Sequence, residues 1–374
     1  MFQNYSYTEK ITFFQKLRSL DYILLFCILI LGIVSSFSMY STDGGELLYH
    51  SKSHMLRFVI FFAMMLGLSF ISIRFWHFTG YIFYAVALIL LIWASLYGVT
   101  VSGSQRWINL YFINLQPSEL MKIAVIVCFA KYYHRYQIQN VNNFKNLLVP
   151  LVVLLVPILL VISQPDLGTS ILIALSGLVV LWLIGLNIKY FFYSTILLII
   201  SMPFGISILK PYQKLRILTF FNPDRDPLGA GYQIIQSKIA VGSGGLTGKG
   251  FLKGTQSYLE FLPEKHTDFI FTLFAEEYGF VGSILLLLVY AILIFRILKI
   301  GSEVRSFFAK IFCYSFASAI FIYIAVNMSM VLGLLPIVGS PLPIMSYGGS
   351  SMLSTMIGLS IVMSARIYHR QMIS

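Results

Sequence analysis

Charge is scarce in this chain of 374 residues. Only 11% of its residues are Asp, Glu, Lys or Arg, whereas 58% are hydrophobic and the mean hydropathy is +0.84. A soluble domain carries roughly a quarter charged residues, so this composition excludes an ordinary soluble protein and indicates a polytopic membrane protein. The net charge is +12, but the basic residues are scattered between apolar stretches. They therefore predict membrane topology and no nucleic-acid binding.

Cysteine is also rare, and no internal repeat is visible. Cys27, Cys128 and Cys313 all lie inside apolar runs, and their spacing excludes a disulfide framework and a cysteine metal site. The two halves of the chain share no motif, which weakens an inverted-repeat transporter interpretation. The first apolar run, 22–39, is long enough to span a bilayer and no small-residue cleavage site follows it. We therefore expect a span and not a cleaved signal peptide.

Apolar stretches of membrane-spanning length recur along the whole chain. Because a span needs about 20 apolar residues, the sequence predicts an all-α polytopic membrane protein with about ten transmembrane helices in a single domain, 1–374. The predicted spans are 21–40, 55–73, 79–99, 117–134, 147–163, 168–187, 189–209, 268–299, 308–333 and 347–367. One long loop, 210–267, separates the seventh span from the eighth.

The positions of Lys and Arg predict the orientation of these spans. The segment before the first span and every second loop after it are rich in basic residues, whereas the short loops between them hold only Lys52, Arg57 and Arg106. Cytoplasmic loops carry the excess of Lys and Arg. Both termini are therefore predicted to be cytoplasmic and the loop 210–267 extracytoplasmic. Its glycine-rich run, 242–250, lacks the spacing of a nucleotide-binding loop, although its amides could hold an anionic lipid head group.

Ionisable residues crowd the boundary between this loop and the eighth span. Glu264, Lys265, His266 and Asp268 directly precede an apolar helix, and two acids at 276–277 lie in its first turns. Ionisable residues at membrane depth are functional candidates. The structural alternative is an interfacial loop with ordinary snorkelling charges.

Two more polar clusters fall on the predicted outer side, within residues 102–122 and 164–169. Arg106 could bind phosphate as a two-pronged donor or anchor the chain at the interface. Glu119 and Lys122 are three positions apart, so they share one helix face as a substrate-facing or a structural ion pair. Asp166 could contact substrate or cap the sixth span.

Of the last two clusters, one lies at the start of the long loop and the other precedes the final span. Lys210 and Arg216 could meet a pyrophosphate or simply anchor the end of the seventh span. Two prolines and a Gly-Gly pair break the helix before the tenth span. Non-helical backbone at membrane depth is tolerated only where it is buried in protein or lines a cavity. This pattern predicts a polar cavity near Ser346, Tyr347 and Ser350.

The order of these motifs resembles the SEDS family (shape, elongation, division and sporulation). The motifs that carry the resemblance are Gly103-Ser-Gln-Arg-Trp107, Gln116-Pro-Ser-Glu119, Gln164-Pro-Asp-Leu-Gly-Thr169, Asn222-Pro with Asp226-Pro, Gly229 and Gly231-Tyr232, Phe261-Leu-Pro-Glu-Lys-His-Thr-Asp-Phe-Ile-Phe271, and Pro341, Pro343 and Ser346-Tyr-Gly-Gly349. They extend from the third span to the tenth. Within the family, Gln256, the stretch 259–263 and Lys265 resemble the elongation branch more than the division branch.

This resemblance implies a peptidoglycan glycosyltransferase of the bacterial cytoplasmic (inner) membrane. Its substrate would be lipid II, an undecaprenyl-pyrophosphate-linked precursor, polymerised into glycan strands on the outer face during cell elongation and cell-shape maintenance. Its partner would be a class B penicillin-binding protein, a transpeptidase. No cofactor is certain, and a divalent cation, Mg²⁺ or Mn²⁺, is left open because the sequence offers no set of metal ligands.

The resemblance also implies roles for individual residues. Asp268 corresponds to the essential acid of the family and is predicted to be the general base of an inverting transfer. The predicted substrate-binding residues are Arg106, Glu119, Lys122, Asp166, Lys210, Arg216, Glu264, His266, Ser346, Tyr347 and Ser350.

Two alternatives to a polymerase are a lipid II flippase and a non-catalytic scaffold for the transpeptidase. A polar cavity with basic residues would serve the enzyme or the flippase. The candidate residues cluster on one predicted side of the membrane, which favours an enzyme, since a flippase needs charge along a path through the bilayer. A scaffold would leave the acid at 268 without a role.

Overall fold

The computed structural model describes residues 12–101, 104–109, 114–135, 141–142, 144–208, 211–222, 229–255 and 264–373. Within them the elements, in chain order, are α1 Phe13–Arg18, α2 Tyr22–Thr42, α3 Tyr49–Ser69, α4 Ile73–Tyr97, β1 Val99–Val101, β2 Ser104–Asn109, β3 Asn114–Leu115, α5 Pro117–Arg135, α6 Phe144–Ser163, α7 Leu167–Leu183, α8 Ile188–Ile208, α9 Pro211–Phe221, α10 Ala230–Ser243, α11 Ile270–Glu303, α12 Phe307–Val331 and α13 Gly349–Ile367.

Every predicted span falls on one of these helices, and the ends differ by a few residues. The second span, predicted to begin at 55, begins at Tyr49, because the helix continues through a polar turn that hydropathy does not mark. Seven of the described helices, α2, α3, α4, α6, α11, α12 and α13, are long and apolar enough to cross a membrane. The total of ten crossings and the position of the termini stay predictions.

A small antiparallel sheet joins α4 to α5, which the sequence analysis did not predict. Its strands lie in the order β1-β2-β3, with Val99 paired to Trp107 and Ile108 paired to Leu115. The predicted span 79–99 therefore ends two residues early, at Tyr97. The β-branched and aromatic residues of these short strands suit a pleated surface, but a window searching for long apolar runs does not detect them.

The apolar residues divide between the core and the outer surface. Helices α5, α12 and α13 are largely buried in the centre of the bundle. Helices α3, α4 and α8 instead expose many large apolar side chains; on α4 these include Phe78, Ile82, Ile89, Trp93 and Leu96. An exposed apolar surface of this extent is what a lipid environment favours and water does not.

The two ends of the bundle differ in chemistry. One end holds basic residues bound to acids or to carbonyls: Arg296 binds Asp21, Arg366 binds Glu303, and Arg74 donates to the carbonyl of Met372. The opposite end holds the sheet, the loop after α2 and the segments before α7, α11 and α13. The described residues of the polar clusters found in the sequence lie at that opposite end.

Helix α11 is kinked at Gly279, where the glycine-rich run docks. The backbone at Gly279 has φ 65° and ψ −162°, which only glycine adopts readily. The amides of Lys249 and Gly250 each donate to a carbonyl of α11 across 3.0 Å. These two amides thus bind carbonyl groups of α11 just before the kink. The expectation that the run presents its amides to a lipid head group is therefore wrong for both of them.

The acids in the first turns of α11 hold the same loop. Glu276 accepts hydrogen bonds from the ammonium of Lys249 at 2.6 Å and from the amide and hydroxyl of Thr255 at 2.9 Å. Glu277 accepts from the hydroxyl of Ser41 and from the amide of Leu252. Both acids therefore stabilise the structure between α10 and α11.

Candidate active site

Asp268 lies directly before α11 and contacts two other segments, α12 and the stretch before α13. Its carbonyl accepts a hydrogen bond of 2.9 Å from the side-chain amide of Asn327 on α12, which also donates to the carbonyl of Ser340 at 2.6 Å. The carboxylate lies beside Gly339, where an added Cβ would be 3.5 Å from Oδ2. Asn327 is fully buried and was not singled out in the sequence, although an amide inside an apolar span is a usable signal.

The environment of Asp268 raises the pKa of its carboxyl to about 7. Burial is the largest cause, followed by repulsion from the carboxylate of Glu264; the carboxylate of Asp166 acts in the same direction. The guanidinium groups of Arg106 and Arg216 act in the opposite direction. Four charged residues thus act electrostatically on the Asp268 carboxyl, and three of them, Arg106, Asp166 and Arg216, belong to other polar clusters of the sequence.

Asp166 is the centre of a hydrogen-bonded group that joins three segments. Its carboxylate binds the guanidinium of Arg106 on β2 at 2.9 Å and accepts from the side-chain amide of Gln116 at 3.0 Å. It also accepts from the amide of Thr169 at 3.1 Å and from the hydroxyl of the same residue at 2.9 Å. Asp166 therefore caps α7, which is one of the two roles predicted for it. The same carboxylate orients Arg106.

Arg106 retains unused donor capacity. One of its terminal nitrogens binds Asp166, whereas Nε is buried and has no hydrogen-bond partner among the described residues. A buried donor without a partner is costly in a folded protein. Since a guanidinium is suited to binding phosphate oxygens, this geometry supports the predicted contact with an anionic group.

Glu119 and Lys122 form an ion pair of 2.8 Å deep in the bundle, and only 4% and 3% of the two residues is exposed. The ammonium of Lys122 lies 4.5 Å from the centre of the Tyr323 ring. The Tyr323 hydroxyl is 3.1 Å from that of Ser176. Lys122 donates to Oε1 of Glu119, whereas the buried Oε2 of Glu119 has no hydrogen-bond partner among the described residues. The structural and the substrate-facing alternatives for the pair therefore both stay predictions. The carboxylate of Asp166 also acts on Lys122 electrostatically.

The predicted serines stabilise the loops around the site. The hydroxyl of Ser350 accepts from the amide of Gln116 at 2.8 Å and donates to the carbonyl of Asn114 at 3.0 Å. The hydroxyl of Ser346 accepts from the amide of Leu342 at 2.7 Å. The contacts of Ser350 connect the start of α13 to the strand before α5, whereas the contact of Ser346 lies within its own loop. A role of the two serines in substrate binding stays a prediction.

His266 and Tyr347 join the Asp268 loop to α2 and α3. The amide of Tyr347 donates to the carbonyl of His266 at 2.8 Å, and the guanidinium of Arg57 lies 5.0 Å from the Tyr347 ring. Nε2 of His266 is 3.0 Å from Oδ1 of Asp43, a residue 223 positions away in the chain. Burial, with a smaller contribution from the neighbouring His50, lowers the pKa of His266 to about 4.

The remaining predicted residues lie at the edge of the site. Arg216, on α9, is exposed and donates to the carbonyl of Ile337 at 3.3 Å. Glu264 is exposed and accepts from the hydroxyl of Thr267 at 2.8 Å. Lys210 lies outside the described residues. A cavity of about 300 Å³ opens between α4, α5 and α6, but it is lined by residues such as Tyr84 and Pro150 and contains no predicted site residue.

An apolar helical bundle with a buried carboxylate and two arginines at one end defines a polytopic membrane protein with a polar site at one end. Comparison with known sequences places it more narrowly. The chain matches the cell cycle protein family of FtsW, RodA and SpoVE over residues 17–371, and it belongs to this family. The membership predicted from the SEDS motifs is confirmed.

Among the relatives is peptidoglycan glycosyltransferase MrdB of Escherichia coli K12, which is 41% identical over 98% of both chains. The probable peptidoglycan glycosyltransferase FtsW of Buchnera aphidicola subsp. Baizongia pistaciae is 34% identical over 91% of this chain and 90% of its own length. The higher identity to MrdB agrees with the predicted elongation branch.

Solved structures share the fold. A chain from a peptidoglycan synthase complex that coordinates polymerization and crosslinking is 28% identical and covers 94% of this chain and 99% of its own, with a TM-score of 0.81. The rod shape determining protein RodA of Thermus thermophilus is 24% identical, with a TM-score of 0.71 over 94% of this chain and 98% of its own.

Proposed function

We propose that the protein polymerises lipid II into glycan strands during cell elongation, with Asp268 as the general base. The activity in general terms, peptidoglycan glycosyl transfer, follows from the relationship with MrdB over 98% of both chains. The proposal adds the lipid-linked substrate and the roles of the residues. The observation that carries it is the buried Asp268 carboxyl, on which the charges of Arg106, Arg216, Asp166 and Glu264 act, beside the Arg106–Asp166 ion pair of 2.9 Å.

The proposed reaction is a single displacement at the anomeric carbon of the donor sugar. Asp268 accepts the proton of the acceptor's 4-hydroxyl as that oxygen bonds to the anomeric carbon. The bond from this carbon to the lipid pyrophosphate breaks, and the pyrophosphate leaves as an anion, which inverts the configuration. A positioned general base contributes about 10²–10⁴-fold to such a rate, and it works best when its pKa is close to the working pH.

Arg106 and Arg216 are the proposed partners of the leaving pyrophosphate. Cationic donors aimed at the position where negative charge develops stabilise the transition state. Arg106 suits this role because it is oriented by Asp166 and its Nε has no partner among the described residues. Since the leaving group departs as an anion, no second acid is required, and Glu264 is assigned only to substrate binding.

The position of the site in the membrane is part of the proposal. The arginine-rich end, with Arg74, Arg296 and Arg366, is assigned to the cytoplasm, and the Asp268 end to the outer face of the cytoplasmic membrane. Lipid II would thus be used on the side where the wall is built. A class B penicillin-binding protein is the proposed partner, which the similarity to a chain of a polymerising and crosslinking complex supports.

Polymerisation of lipid II by the purified full-length chain with its transpeptidase partner tests this function. We expect glycan ladders from the wild type and at least ~100-fold fewer from Asp268→Asn, in keeping with the loss of a general base. Glu46→Gln, in the exposed loop after α2, is the matched control for removing a carboxylate. Ladders of normal intensity from a folded Asp268→Asn protein would refute the assignment. Lipid II transport across liposomes without ladders from the wild type would instead support a flippase.

A further inference from the structure

Three residues from separate segments bring metal-ligating atoms together next to the Asp268 loop. They are Asp43 in the turn after α2, His50 in the first turn of α3 and His266 before α11. Oδ1 of Asp43 is 3.0 Å from Nε2 of His266 and 3.8 Å from Nδ1 of His50. All of the ligand atoms lie within 4.8 Å of one another. The sequence analysis found no set of metal ligands, because these residues are far apart in the chain.

The spacing of these atoms fits one divalent ion. Bonds of about 2.0–2.2 Å to nitrogen or oxygen in tetrahedral geometry place two ligand atoms about 3.4 Å apart. The distances of 3.0 Å and 3.8 Å lie on either side of this value. A small rotation of the exposed His50 ring would shorten the longer of the two distances towards this value. The two imidazole rings already lie 4.2 Å apart, with 30° between their planes.

The surroundings of the three residues orient the carboxylate and leave one side of the site open to solvent. The side chain of Asp43 is only 3% exposed, and its second oxygen accepts a hydrogen bond of 2.9 Å from the amide of Ser51, which orients the first oxygen towards the histidines. His266 is 16% exposed and His50 is 44% exposed. An ion could therefore enter past His50 and keep a water ligand on that side.

We propose that Asp43, His50 and His266 bind a divalent first-row transition metal ion, with Zn²⁺ as the probe. Two imidazoles and one carboxylate suit Zn²⁺ and similar ions, whereas Mg²⁺ prefers a set of oxygen ligands. The proposal is independent of the proposed function, because metal binding is measured without lipid II. The ion takes no part in the displacement step.

The proposed effect of the ion is to fix the position of the Asp268 loop. His266 precedes Asp268 by two residues, and its carbonyl binds the amide of Tyr347. An ion shared with Asp43 and His50 would tie this loop to the connection between α2 and α3. It would thereby join the first two apolar helices of the chain to the segment that carries Asp268.

The metal content of the purified full-length chain, prepared without a polyhistidine tag, tests this site. After dialysis against Zn²⁺, we expect about one ion per chain and a higher thermal unfolding midpoint than in chelator-treated protein. Asp43→Asn and His50→Gln should each weaken Zn²⁺ binding by more than the ~10–100-fold that loss of an outer hydrogen-bonding partner costs. Mg²⁺ at the same concentration should leave the midpoint unchanged.

His134→Gln is the matched histidine control, because His134 belongs to a second histidine pair, with His77, at the other end of the bundle. It should retain full Zn²⁺ binding. The proposal is overturned if the wild type binds no Zn²⁺, if Asp43→Asn binds it as tightly as the wild type does, or if His134→Gln is the variant that loses the ion. In those cases the contact between His266 and Asp43 is a hydrogen bond and nothing more.

Discussion

Arg106 and Asp166 bind each other across 2.9 Å, although they belong to different polar motifs of the chain. Through this contact a strand of the small sheet is fixed to the first turn of α7. The same carboxylate accepts from Gln116, so the beginning of α5 is fixed as well. The polar motifs of the sequence are therefore contacts of one another, and a substitution in one should affect the others.

Replacing Arg106 with Gln should reduce both stability and polymerisation. It leaves the carboxylate of Asp166 buried without its cation, which costs about 1–3 kcal/mol. The double variant Arg106→Gln/Asp166→Asn should regain most of the thermal unfolding midpoint, because no buried charge is left unpaired. Its polymerase activity should stay low, since the cation proposed for the leaving group is still missing. Full activity in the double variant would restrict Arg106 to a structural role.

The buried pair of Glu119 and Lys122 should show a similar pattern in stability. Lys122→Met removes one partner and should lower the free energy of unfolding by about 3–5 kcal/mol. Glu119→Gln/Lys122→Met should recover most of this loss, as measured by thermal unfolding in detergent. A double variant no more stable than Lys122→Met would contradict the pairing. The activity of the recovered protein then separates the two alternatives, because a purely structural pair predicts normal ladders.

Gly279→Ala should destabilise the protein strongly. At φ 65° and ψ −162°, a region that essentially only glycine adopts, a side chain costs on the order of 1–3 kcal/mol, and the new Cβ would lie 2.3 Å from the amide nitrogen of Gly248. Gly67→Ala in α3 is the control, because its Cβ would meet no atom within 4 Å and alanine favours a helix by up to about 1 kcal/mol. Equal unfolding midpoints for the two variants would argue against backbone packing at the kink.

Asn327→Ala should impair catalysis by releasing the Asp268 loop. The variant loses both hydrogen bonds that join α12 to the carbonyls of Asp268 and Ser340. We expect kcat to fall by at least ~10-fold with a small change in KM, because the proposed base, Asp268, is misplaced and the proposed substrate contacts remain. Asn187→Ala, at an exposed position, should leave both constants unchanged. A change in KM alone would indicate that Asn327 serves substrate binding instead.

Much of the fold could be predicted from local properties of the chain. Hydropathy is additive along a helix, so each predicted span falls on an observed helix. The motifs also identified Asp268, Arg106, Asp166 and Arg216, because ionisable residues beside apolar runs are unusual. The sheet between α4 and α5 was missed, since its strands are short and their pairing depends on residues beyond any one window.

What the sequence by itself determined is the class of protein, its apolar helices and its family, and it singled out Asp268 as the candidate base. Only the tertiary structure decided which polar groups meet. It directed the amides of the glycine-rich run to the kink of α11, assigned Glu276 and Glu277 to holding that loop, and brought Asp43 and His50 to His266. The reason is physical: composition acts locally, whereas a hydrogen bond or a set of metal ligands requires atoms within about 3–4 Å of each other, and helix packing alone brings distant segments so close.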